Sequence, residues 1–227
     1  MAARSDTFVD SHVLFDFGRS SRIGLPEAVF CEGKPFSSLK SLLSRFGRGS
    51  GHPILFTRLS PDVFGSMPGE IKEAYDYDPL SRTAFGDTMP ERKRGSVAIV
   101  SAGTADGFVT FEAARTLTYL GVHNEVFEDC GVAGLWRLTE KLPAINACDC
   151  VIVVAGLDAA LLSVVGGLIS KPLFGVPTSV GYGAAEGGKA ALASMLASCA
   201  PGACVLNIDN GAACAAARVI HVIEHNN

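Results

Sequence analysis

Hydrophobic residues after position 95 form short continuous runs, and these runs are separated by stretches with helical spacing. A short apolar run bounded by turn residues predicts a buried strand, and apolar residues three or four apart predict a helix. Strands are predicted at 97–101, 124–127, 151–154, 172–176 and 203–208. Helices are predicted at 109–120, 158–170, 187–198 and 211–224, and a loop followed by a helix at 131–142. This alternation predicts a three-layer α/β domain over 95–227, in which helices cover both faces of a parallel sheet.

The pattern before residue 95 is less regular, because charged residues and most of the prolines lie there. The predicted elements are strands at 13–17 and 54–58, a turn at Pro61-Asp62, and helices at 68–75 and at 36–46, where Leu39, Leu42 and Leu43 share a face. Residues 1–94 are therefore expected to form a smaller α/β module. Its last part, 77–94, is interpreted as an extended polar linker, and the basic run Arg92–Arg94 as a solvated part of that linker.

Length and charge exclude several classes of protein. A chain of 227 residues, of which 48% are hydrophobic, is long enough to bury a full core. The net charge of -4 gives no broad attraction to nucleic acid or to an anionic membrane. The sequence has no run of about 18 apolar residues, and its N-terminus lacks a basic region followed by an apolar core. We therefore expect a cytoplasmic protein without nucleic-acid or membrane partners.

Seven cysteines are an odd number in a chain without secretory features, so a disulfide framework is not expected. Most of them are interpreted as small buried hydrophobic residues. Cys148-Asp149-Cys150 has the spacing of a weak metal motif, but it leads into an apolar run and is interpreted as the entry to a strand. No bound metal is expected. Five histidines are interpreted as separate surface or hydrogen-bonded residues: His12, His52, His123, His221 and His225.

Small and polar residues follow the carboxyl end of every predicted strand of the second domain. These segments are Ala102-Gly103-Thr104, Asp129-Cys130-Gly131, Ala155-Gly156, Pro177-Thr178-Ser179 and Asp209-Asn210-Gly211. The carboxyl ends of parallel strands meet at one edge of the sheet, where helix N-termini and loop amides are available to a ligand. Each segment alone is also an ordinary turn. Their recurrence at one edge favours a ligand site.

Two of these loops carry groups suited to a nucleotide. Thr104 and Asp106 lie in a strand-to-helix turn, where they could hold a phosphate or ribose or simply cap the helix. The chain lacks GxxxxGK[ST], and no GxGxxG follows a strand, which argues against the commonest NTPase and dinucleotide folds. Residues 178–183 place hydroxyls and glycines around Tyr182, which suits a flat heterocycle or a tyrosine that packs on the core.

Cys199 lies at the end of a predicted helix, directly before Pro201-Gly202. A helix C-terminus does not lower the pKa of a thiol, so a reactive Cys199 would need a cation or hydrogen bonds from elsewhere. Spacing and composition alone therefore favour a buried structural cysteine at this position.

Several motifs together resemble the LarB family, the pyridinium-3,5-biscarboxylic acid mononucleotide synthases. In the second domain they are AGTAD at 102–106, DCGVAG at 129–134, VAG at 154–156, GVPTSVGYG at 175–183, SCAPG at 198–202 and NIDNG at 207–211. In the first module they are Asp16, Arg19, Arg22, Gly24, Pro26-Glu27, Gly33-Lys34, Thr57-Arg58 and YDPLSR at 77–82. The resemblance covers nearly the whole chain.

The resemblance implies a second domain like that of the aminoimidazole ribonucleotide carboxylases, which assemble as homo-oligomers, typically octamers. It also implies a reaction, in which the pyridinium ring of nicotinic acid adenine dinucleotide is carboxylated at position 5 and the phosphoanhydride is cleaved to release AMP. Carbon dioxide or bicarbonate is the expected co-substrate. No tightly bound cofactor is expected, and Mg²⁺ would accompany the diphosphate of the substrate.

The resemblance places Cys199 at the family's nucleophilic cysteine, and Asp158 at a position where the family usually has a glutamate suited to proton transfer. Substrate contacts in the first module are assigned to Arg19, Arg22, Lys34, Arg58 and Arg82, since such groups pair with phosphates. Substrate contacts in the second domain are assigned to Gly103, Thr104, Asp106, Gly131, Arg137, Gly156, Thr178, Ser179, Gly181, Tyr182, Asp209 and Asn210.

The chain departs from the family pattern at several positions besides Asp158. Trp136 replaces a histidine, Glu186 and Lys189 replace largely apolar residues, and Ala212-Ala213 replaces a Phe-Gly pair. Two other functions stay open on the residues. One is a carboxylase or mutase that acts on another nucleotide heterocycle, and the other is a non-catalytic, nucleotide-binding regulatory protein.

Overall fold

A computed structural model describes residues 8–10 and 13–225. The chain divides into two compact units, one ending at Pro90 and the other beginning at Glu91. This division lies four residues before the expected boundary between Arg94 and Gly95. Each unit has its own sheet and its own buried core.

The first unit contains short elements around a mixed four-stranded sheet. They are β1 (Phe8–Asp10), β2 (Val13–Leu14), α1 (Arg19–Ile23), β3 (Ala28–Phe30), α2 (Phe36–Arg45), β4 (Leu55–Thr57), α3 (Pro61–Gly65), α4 (Gly69–Glu73), β5 (Asp76–Asp78) and β6 (Thr83–Phe85). Strands β1 and β2 form a separate antiparallel pair. The larger sheet has the order β3-β4-β6-β5, with β3 and β4 parallel and the other pairs antiparallel.

Helix α2 has the predicted position and the predicted buried face. Leu39, Leu42 and Leu43 are at most 2% exposed and pack in the core of the first unit. At Pro61 the prediction of a simple turn is wrong, because the chain forms the short helix α3 there. Proline is well suited to the first turn of a helix, and the Ser60 hydroxyl caps α3 by accepting a hydrogen bond from Val63 N at 3.3 Å.

The prediction that 77–94 is a linker is wrong, because its first part forms β5 and β6. Two of its polar residues, Ser81 and Thr83, are buried and not solvated. Ser81 is 2% exposed, and its hydroxyl lies 2.5 Å from the Asp78 carboxylate and 2.8 Å from the Thr83 hydroxyl. The basic run is also not fully solvated, since Arg92 Nη1 pairs with Glu224 Oε2 at 2.9 Å. Composition alone could not reveal these partners.

The second unit alternates strands and helices as predicted. Its elements are β7 (Ser96–Ser101), α5 (Gly107–Tyr119), β8 (His123–Phe127), α6 (Trp136–Ala147), β9 (Cys150–Ala155), α7 (Leu161–Gly166), β10 (Leu173–Pro177), α8 (Lys189–Leu196), β11 (Cys204–Val205) and α9 (Ala213–His225). The five strands form one parallel sheet in the order β11-β10-β9-β7-β8. The predicted fold class is therefore confirmed.

Burial on both faces explains the continuous apolar runs of the central strands. All six residues of β9 are fully buried, as are Val97 to Val100 in β7. Ala98 and Val100 belong to a cluster that includes residues of α6, α7 and α8. Helices α5 and α9 contact each other and pack on β7 and β9 respectively. Alternate residues of a strand point to opposite faces of the sheet, so both faces need apolar side chains.

Several elements are shorter than predicted, and the backbone explains this for α7 and β11. Helix α7 begins at Leu161 because Leu157 and Ala159 before it have left-handed backbones, with φ of 54° and 50°. A right-handed helix cannot include such residues. Strand β11 pairs only at Cys204 and Val205, and the chain then turns to follow the end of β10 through a hydrogen bond from Leu206 N to Gly175 O.

Most cysteines are buried, as predicted, namely Cys31, Cys130, Cys148 and Cys150, whereas Cys199, Cys204 and Cys214 are exposed. Cys150 begins β9, which agrees with the strand-entry interpretation. The interpretation of all histidines as separate residues is wrong for two of them. The rings of His221 and His225 lie 4.2 Å apart, one turn apart on α9. His12 lies outside the described residues.

Replacing Ser81 by alanine tests whether 77–85 is folded structure. The substitution removes the hydroxyl that joins Asp78 to Thr83 and leaves buried polar atoms without this partner. We expect the free energy of unfolding, measured in urea, to fall by about 1–3 kcal/mol. Ser44→Ala on the exposed face of α2 is the control, with an expected change below about 0.5 kcal/mol. Equal small effects at both positions would contradict the folded assignment.

Candidate functional site

A cavity of about 420 Å³ lies at the carboxyl edge of the parallel sheet in the second unit. Loops after β7, β8, β9 and β10 form its walls. The lining residues are Ala102, Gly103, Ala105, Asp106, Gly131, Val132, Ala133, Arg137, Ala155, Gly156, Leu157, Asp158, Ala159, Ala160, Leu161 and Val180. Six of the predicted site residues thus line one cavity: Gly103, Asp106, Gly131, Arg137, Gly156 and Asp158.

Asp106 joins the loops of this edge. It is 3% exposed, and its carboxylate accepts hydrogen bonds from Gly103 N at 3.0 Å and from the Thr178 hydroxyl at 2.6 Å. The Gly156 backbone also contributes a hydrogen bond to it. Asp106 occupies the N-cap position of α5, but its side chain makes no cap hydrogen bond. The capping interpretation is therefore wrong for α5, but it holds for the short 3-10 turn Thr104–Asp106, where the Asp106 carboxylate accepts the hydrogen bond from the capping residue Gly103. The same carboxylate also connects the loops after β7, β9 and β10.

The environment of Asp106 raises the pKa of its carboxyl group. Burial is the main cause, because desolvation penalises the charged form. The hydrogen bonds from Thr178, Gly103 and Gly156 oppose this effect, since they stabilise the carboxylate. The negative charge of Asp209 raises the pKa further. Burial outweighs these donors, so the net direction of the pKa shift is upward.

Two glycines let the loops approach each other at this edge. A Cβ atom at Gly156 would lie 2.4 Å from Val180 O and 2.6 Å from the Thr178 hydroxyl. A Cβ atom at Gly131 would lie 2.8 Å from Ala102 O. All three distances are shorter than a normal contact of a Cβ atom, so a larger residue at either position would force the loops apart. In the sequence, a glycine in a loop that follows a predicted strand indicated each of these two site residues.

Strained backbone also concentrates at the carboxyl edge. Asp129, Leu157, Ala159 and Asp209 all have φ between 50° and 56°, a region that is costly for residues with a side chain. Asp129 follows β8, Leu157 and Ala159 follow β9, and Asp209 lies beyond β11. Such strain persists only where the surrounding structure imposes it, and it is typical of ligand sites.

Arg137 brings a positive charge to the cavity. Its Nη1 donates a hydrogen bond to Asp129 at 2.5 Å, and its Nε is buried without a hydrogen-bond partner among the described residues. Gly134 makes room for this side chain, because a Cβ atom there would lie 2.8 Å from Arg137 Nε. The guanidinium group is thus fixed beside the cavity, where it can bind an anionic group of a ligand.

Asp158 lies on the opposite wall and is exposed. Its carboxylate accepts a hydrogen bond from Ala160 N at 3.3 Å, within the turn that leads into α7. The carboxylate is therefore available to a ligand in the cavity. Trp136 is another position at which the chain departs from the family pattern. Its side chain is 63% exposed and does not line the cavity.

The loop after β10 carries the remaining predicted residues. Thr178 is fully buried beside Asp106, and Ser179 N donates a hydrogen bond to the Asp209 carboxylate at 2.7 Å. Asp209 N donates to Pro177 O at 2.9 Å, so the loops after β10 and β11 are tied together. Tyr182 is 82% exposed, which excludes the interpretation that it packs on the core. Its ring is free to stack on a ligand.

Three further predicted residues flank this region. Thr104 is exposed between Gly103 and Ala105, which both line the cavity. Gly181 follows Val180, another lining residue, and Asn210 is exposed next to Asp209. The loop after β11 itself contributes no residue to the cavity wall.

Cys199 does not lie with these residues. It is exposed on the loop between α8 and β11, at the amino end of the sheet. Ala200 packs there near Gly166, at the end of α7, and the Ser198 hydroxyl lies 2.7 Å from that of Ser163. Exposure shows that the interpretation of Cys199 as a buried structural cysteine is wrong. Cys199 is not among the residues that line the cavity.

The basic residues predicted to bind phosphates lie in the first unit. Arg19, Lys34 and Arg82 are exposed, and Arg58 is half-buried. Arg22 forms an ion pair with Asp16. Asp16 N also donates a hydrogen bond to Glu27 at 2.5 Å, which fixes the start of this segment.

The apolar part of the cavity wall was missed by the sequence reasoning. It consists of Val132, Leu157, Leu161 and Val180, together with several alanines. Residues of this type are common in every core, so their composition gave no signal. Leu157 has a left-handed backbone that would mark it as unusual, but the sequence does not reveal this conformation.

Two kinds of feature are absent from the described residues, namely a cluster of metal ligands and a helix able to span a membrane. No three His, Cys, Asp or Glu side chains there come together as metal ligands. None of the helices in 13–225 is long and apolar enough to span a membrane.

Fold and cavity together define an open α/β protein with a ligand site at the carboxyl edge of its parallel sheet. Comparison with known protein families identifies the family to which this protein belongs. The LarB/PurE-like N-terminal domain matches residues 9–87, and the AIR carboxylase domain matches residues 96–227. The chain belongs to the LarB family, with an AIR carboxylase-like C-terminal domain. These two domains support a function of the carboxylase or mutase type.

The chain is similar over most of its length to a relative from Methanocaldococcus jannaschii. This protein, named "Uncharacterized protein MJ0165", is 33% identical over 213 residues, which cover 89% of the present chain and 81% of the relative. The similarity therefore includes both units.

Asp106→Asn tests the burial of the carboxyl group through the pH dependence of stability. The pKa of Asp106 is raised above its ordinary value of 3.8, so the folded state keeps a proton that the unfolded state has released. The contribution of this group to stability is therefore largest below pH 3.8, and it falls as the pH rises to the folded pKa. We expect the unfolding free energy of the wild type, relative to the variant, to decrease as the pH rises above 3.8.

Urea unfolding at a series of pH values measures this difference. Asp158→Asn, which removes an exposed carboxylate from the same cavity, is the matched control for a change of net charge. A relative stability that increased with pH would mean that the pKa of Asp106 is lowered by the fold.

Proposed function

We propose that the protein carboxylates the pyridinium ring of nicotinic acid adenine dinucleotide and cleaves its phosphoanhydride to release AMP. The observation that carries this proposal is the cavity in which the family motifs converge on Asp106 at the carboxyl edge of the sheet. The product would be pyridinium-3,5-biscarboxylic acid mononucleotide, a precursor of the nickel-pincer cofactor. The cavity volume of about 420 Å³ suits a mononucleotide-sized part of the substrate.

The chemistry requires that an electron-poor ring become a nucleophile. The Cys199 thiolate adds to the pyridinium ring, forms a C–S bond and converts the ring into a neutral enamine. The enamine carbon then attacks carbon dioxide, and the ring nitrogen regains its positive charge. Loss of the proton from the newly carboxylated carbon restores the enamine, and departure of the thiolate restores the aromatic pyridinium. Water separately attacks the phosphoanhydride, which yields AMP and the mononucleotide.

The cavity residues have roles that fit these steps. Asp158 is the exposed carboxylate available to accept the ring proton. Arg137 is placed to bind an anionic group of the substrate, and Tyr182 offers an exposed aromatic ring. Asp106 and Thr178 keep the loops in position for the ligand. Basic residues of the first unit are proposed to bind the phosphates, namely Arg19, Arg22, Lys34, Arg58 and Arg82.

For this mechanism we propose that Cys199 reaches the cavity from a second copy of the chain. Within one chain, the thiol lies at the amino end of the sheet and is not among the residues that line the cavity at the carboxyl edge. A symmetric homo-oligomer can bring the exposed Cys199 loop of one copy to the cavity of another.

Cys199→Ala should abolish carboxylation, because the ring cannot become an enamine without the thiolate. The assay incubates the full chain with nicotinic acid adenine dinucleotide and bicarbonate and follows AMP by chromatography and the added carboxylate by mass spectrometry. Cys204→Ala, another exposed cysteine near the same end of the sheet, is the control and should keep full turnover. Full turnover by Cys199→Ala would exclude the covalent mechanism. Tight binding of the dinucleotide without turnover by the wild type would favour a regulatory protein.

Co-expression of Cys199→Ala with Asp106→Asn tests the contribution of a second copy. Each variant alone should be inactive or strongly impaired, because one lacks the thiol and the other lacks an intact cavity. In mixed oligomers, random pairing gives about one quarter of the sites an intact cavity and an intact thiol. We therefore expect recovery to about one quarter of the wild-type rate per chain. Absence of any recovery in oligomers shown to be mixed would place the thiol and the cavity in the same copy.

Asp158 favours a second candidate function, the carboxylation of another nucleotide heterocycle. Its carboxylate is one methylene shorter than the glutamate usual in the family, so the proton that it accepts could lie on a differently placed ring atom. A panel of pyridine, imidazole and pyrimidine nucleotides in the same assay distinguishes the two. Turnover of the pyridine dinucleotide alone would exclude this candidate.

A further inference from the structure

Leu157 combines two features that are each unfavourable for a leucine. Its backbone has φ of 54°, in the left-handed region, and its side chain is 47% exposed. Glycine and asparagine adopt this backbone more easily than leucine does. Exposure of an apolar side chain to water is also unfavourable. A single exposed leucine is common on protein surfaces, but here the exposure coincides with backbone strain at the wall of a cavity, which points to a ligand contact.

The turn that contains Leu157 has a shape that disfavours leucine. Ala159 N donates a hydrogen bond to Gly156 O at 2.9 Å, so Leu157 and Asp158 are the two central residues of this turn. Glycine, asparagine and aspartate dominate the first central position of turns in which that residue has a positive φ. Local turn preferences therefore do not account for the leucine.

The loop after β10 fixes this turn in place. Leu157 N donates a hydrogen bond to Val180 O at 3.0 Å, and Thr178 N donates one to Ala155 O at 3.0 Å. Gly156 lies so close to the same loop that a Cβ atom there would be 2.4 Å from Val180 O. The turn cannot rotate to bury Leu157 without breaking these contacts. The isobutyl group is therefore held at the cavity wall.

Apolar side chains line the cavity from two sides. Val132 follows β8, at one edge of the sheet, whereas Leu157 and Val180 follow β9 and β10, which lie on the other side of β7. Alanine and glycine line the cavity between them, at 102–103 and 155–156. A cavity with two apolar walls separated by main chain fits a flat ring, because such a ring has two apolar faces and a polar edge.

From this arrangement we infer that Leu157 is a specificity-determining residue, whose side chain covers one face of a heterocyclic ring in the cavity. The contact removes apolar surface of both partners from water, and this favourable term is missing in the free protein. A sugar phosphate that carries no ring gains nothing from the contact. Leu157 thus makes the cavity select ligands by the presence of a ring, in addition to any selection by charge.

The inference deepens the proposed function and rests on it for the rings that are considered. Nicotinic acid adenine dinucleotide contains a pyridine ring and an adenine ring, and both have the flat shape that the two walls require. Binding of each half of the dinucleotide can be measured without any turnover, so the two proposals can fail separately.

Calorimetric titration of the full chain with nicotinic acid mononucleotide, AMP and ribose 5-phosphate tests the role of Leu157. At least one of the two nucleotides should bind the wild type more tightly than ribose 5-phosphate does. Leu157→Asn should weaken the binding of that nucleotide about tenfold, because an apolar contact is lost, and should leave the binding of ribose 5-phosphate unchanged. Leu157→Met, which keeps an apolar side chain of similar size, should keep the preference for the ring.

The control is Leu168→Asn, at a leucine that is 44% exposed and lies outside the cavity wall. It should leave the binding of all three ligands unchanged. Thermal unfolding then distinguishes a ligand contact from a structural one. Asparagine tolerates the left-handed backbone, so Leu157→Asn should unfold at or above the wild-type temperature. A lower unfolding temperature would show that the side chain supports the fold, and it would overturn the inference.

Two binding results would also overturn it. One is a wild type that binds ribose 5-phosphate as tightly as both nucleotides, and the other is an equal weakening of all three ligands in Leu157→Asn. Turnover of the dinucleotide with an unchanged KM in Leu157→Asn would overturn it and leave the proposed function intact. Ring-selective binding that depends on Leu157, without turnover by the wild type, would support the role of Leu157 and count against the proposed function. Whichever nucleotide loses affinity in Leu157→Asn shows which of the two rings Leu157 covers.

Discussion

The buried carboxylate of Asp106 is the interaction on which the ligand site of the second unit depends. A charged group removed from water is costly unless donors surround it, and here the donors come from different loops. Gly103, Gly156 and Thr178 must therefore keep fixed positions relative to one another. Satisfying one carboxylate thus fixes the separation of the loops that enclose the cavity, before any ligand binds.

The small residues around Asp106 follow from the same requirement. Gly156 and Gly131 have no room for a Cβ atom, because neighbouring loops pass within normal contact distance of their backbones. The left-handed residues after β8 and β9 turn the chain sharply so that the cavity stays open. Strain at Leu157 and Ala159 is compensated by the packing of β9 and α7 beneath them.

The sequence predicted the second unit well and the first unit poorly, for a physical reason. Strands β7 and β9 are buried on both faces, so their continuous apolar runs were sufficient to predict them from the sequence. Strands β5 and β6 are short, and their stability depends on partners such as Asp78 and Ser81 that a local pattern cannot identify. The loops of the site were predictable because parallel strands end together. The absence of Cys199 from the cavity wall was not predictable, since a motif does not show which of its residues line a cavity.

The lining of the cavity limits how its ligand could change during evolution. Nine of the sixteen lining residues are alanine or glycine, so most of the wall consists of main chain and methyl groups. Substitutions can readily add side-chain volume to such a wall, but the wall has almost no side-chain volume that a substitution could remove. Point mutations can therefore narrow the choice of ligand, whereas accepting a larger ligand would require a change in loop length or in the spacing of the strands.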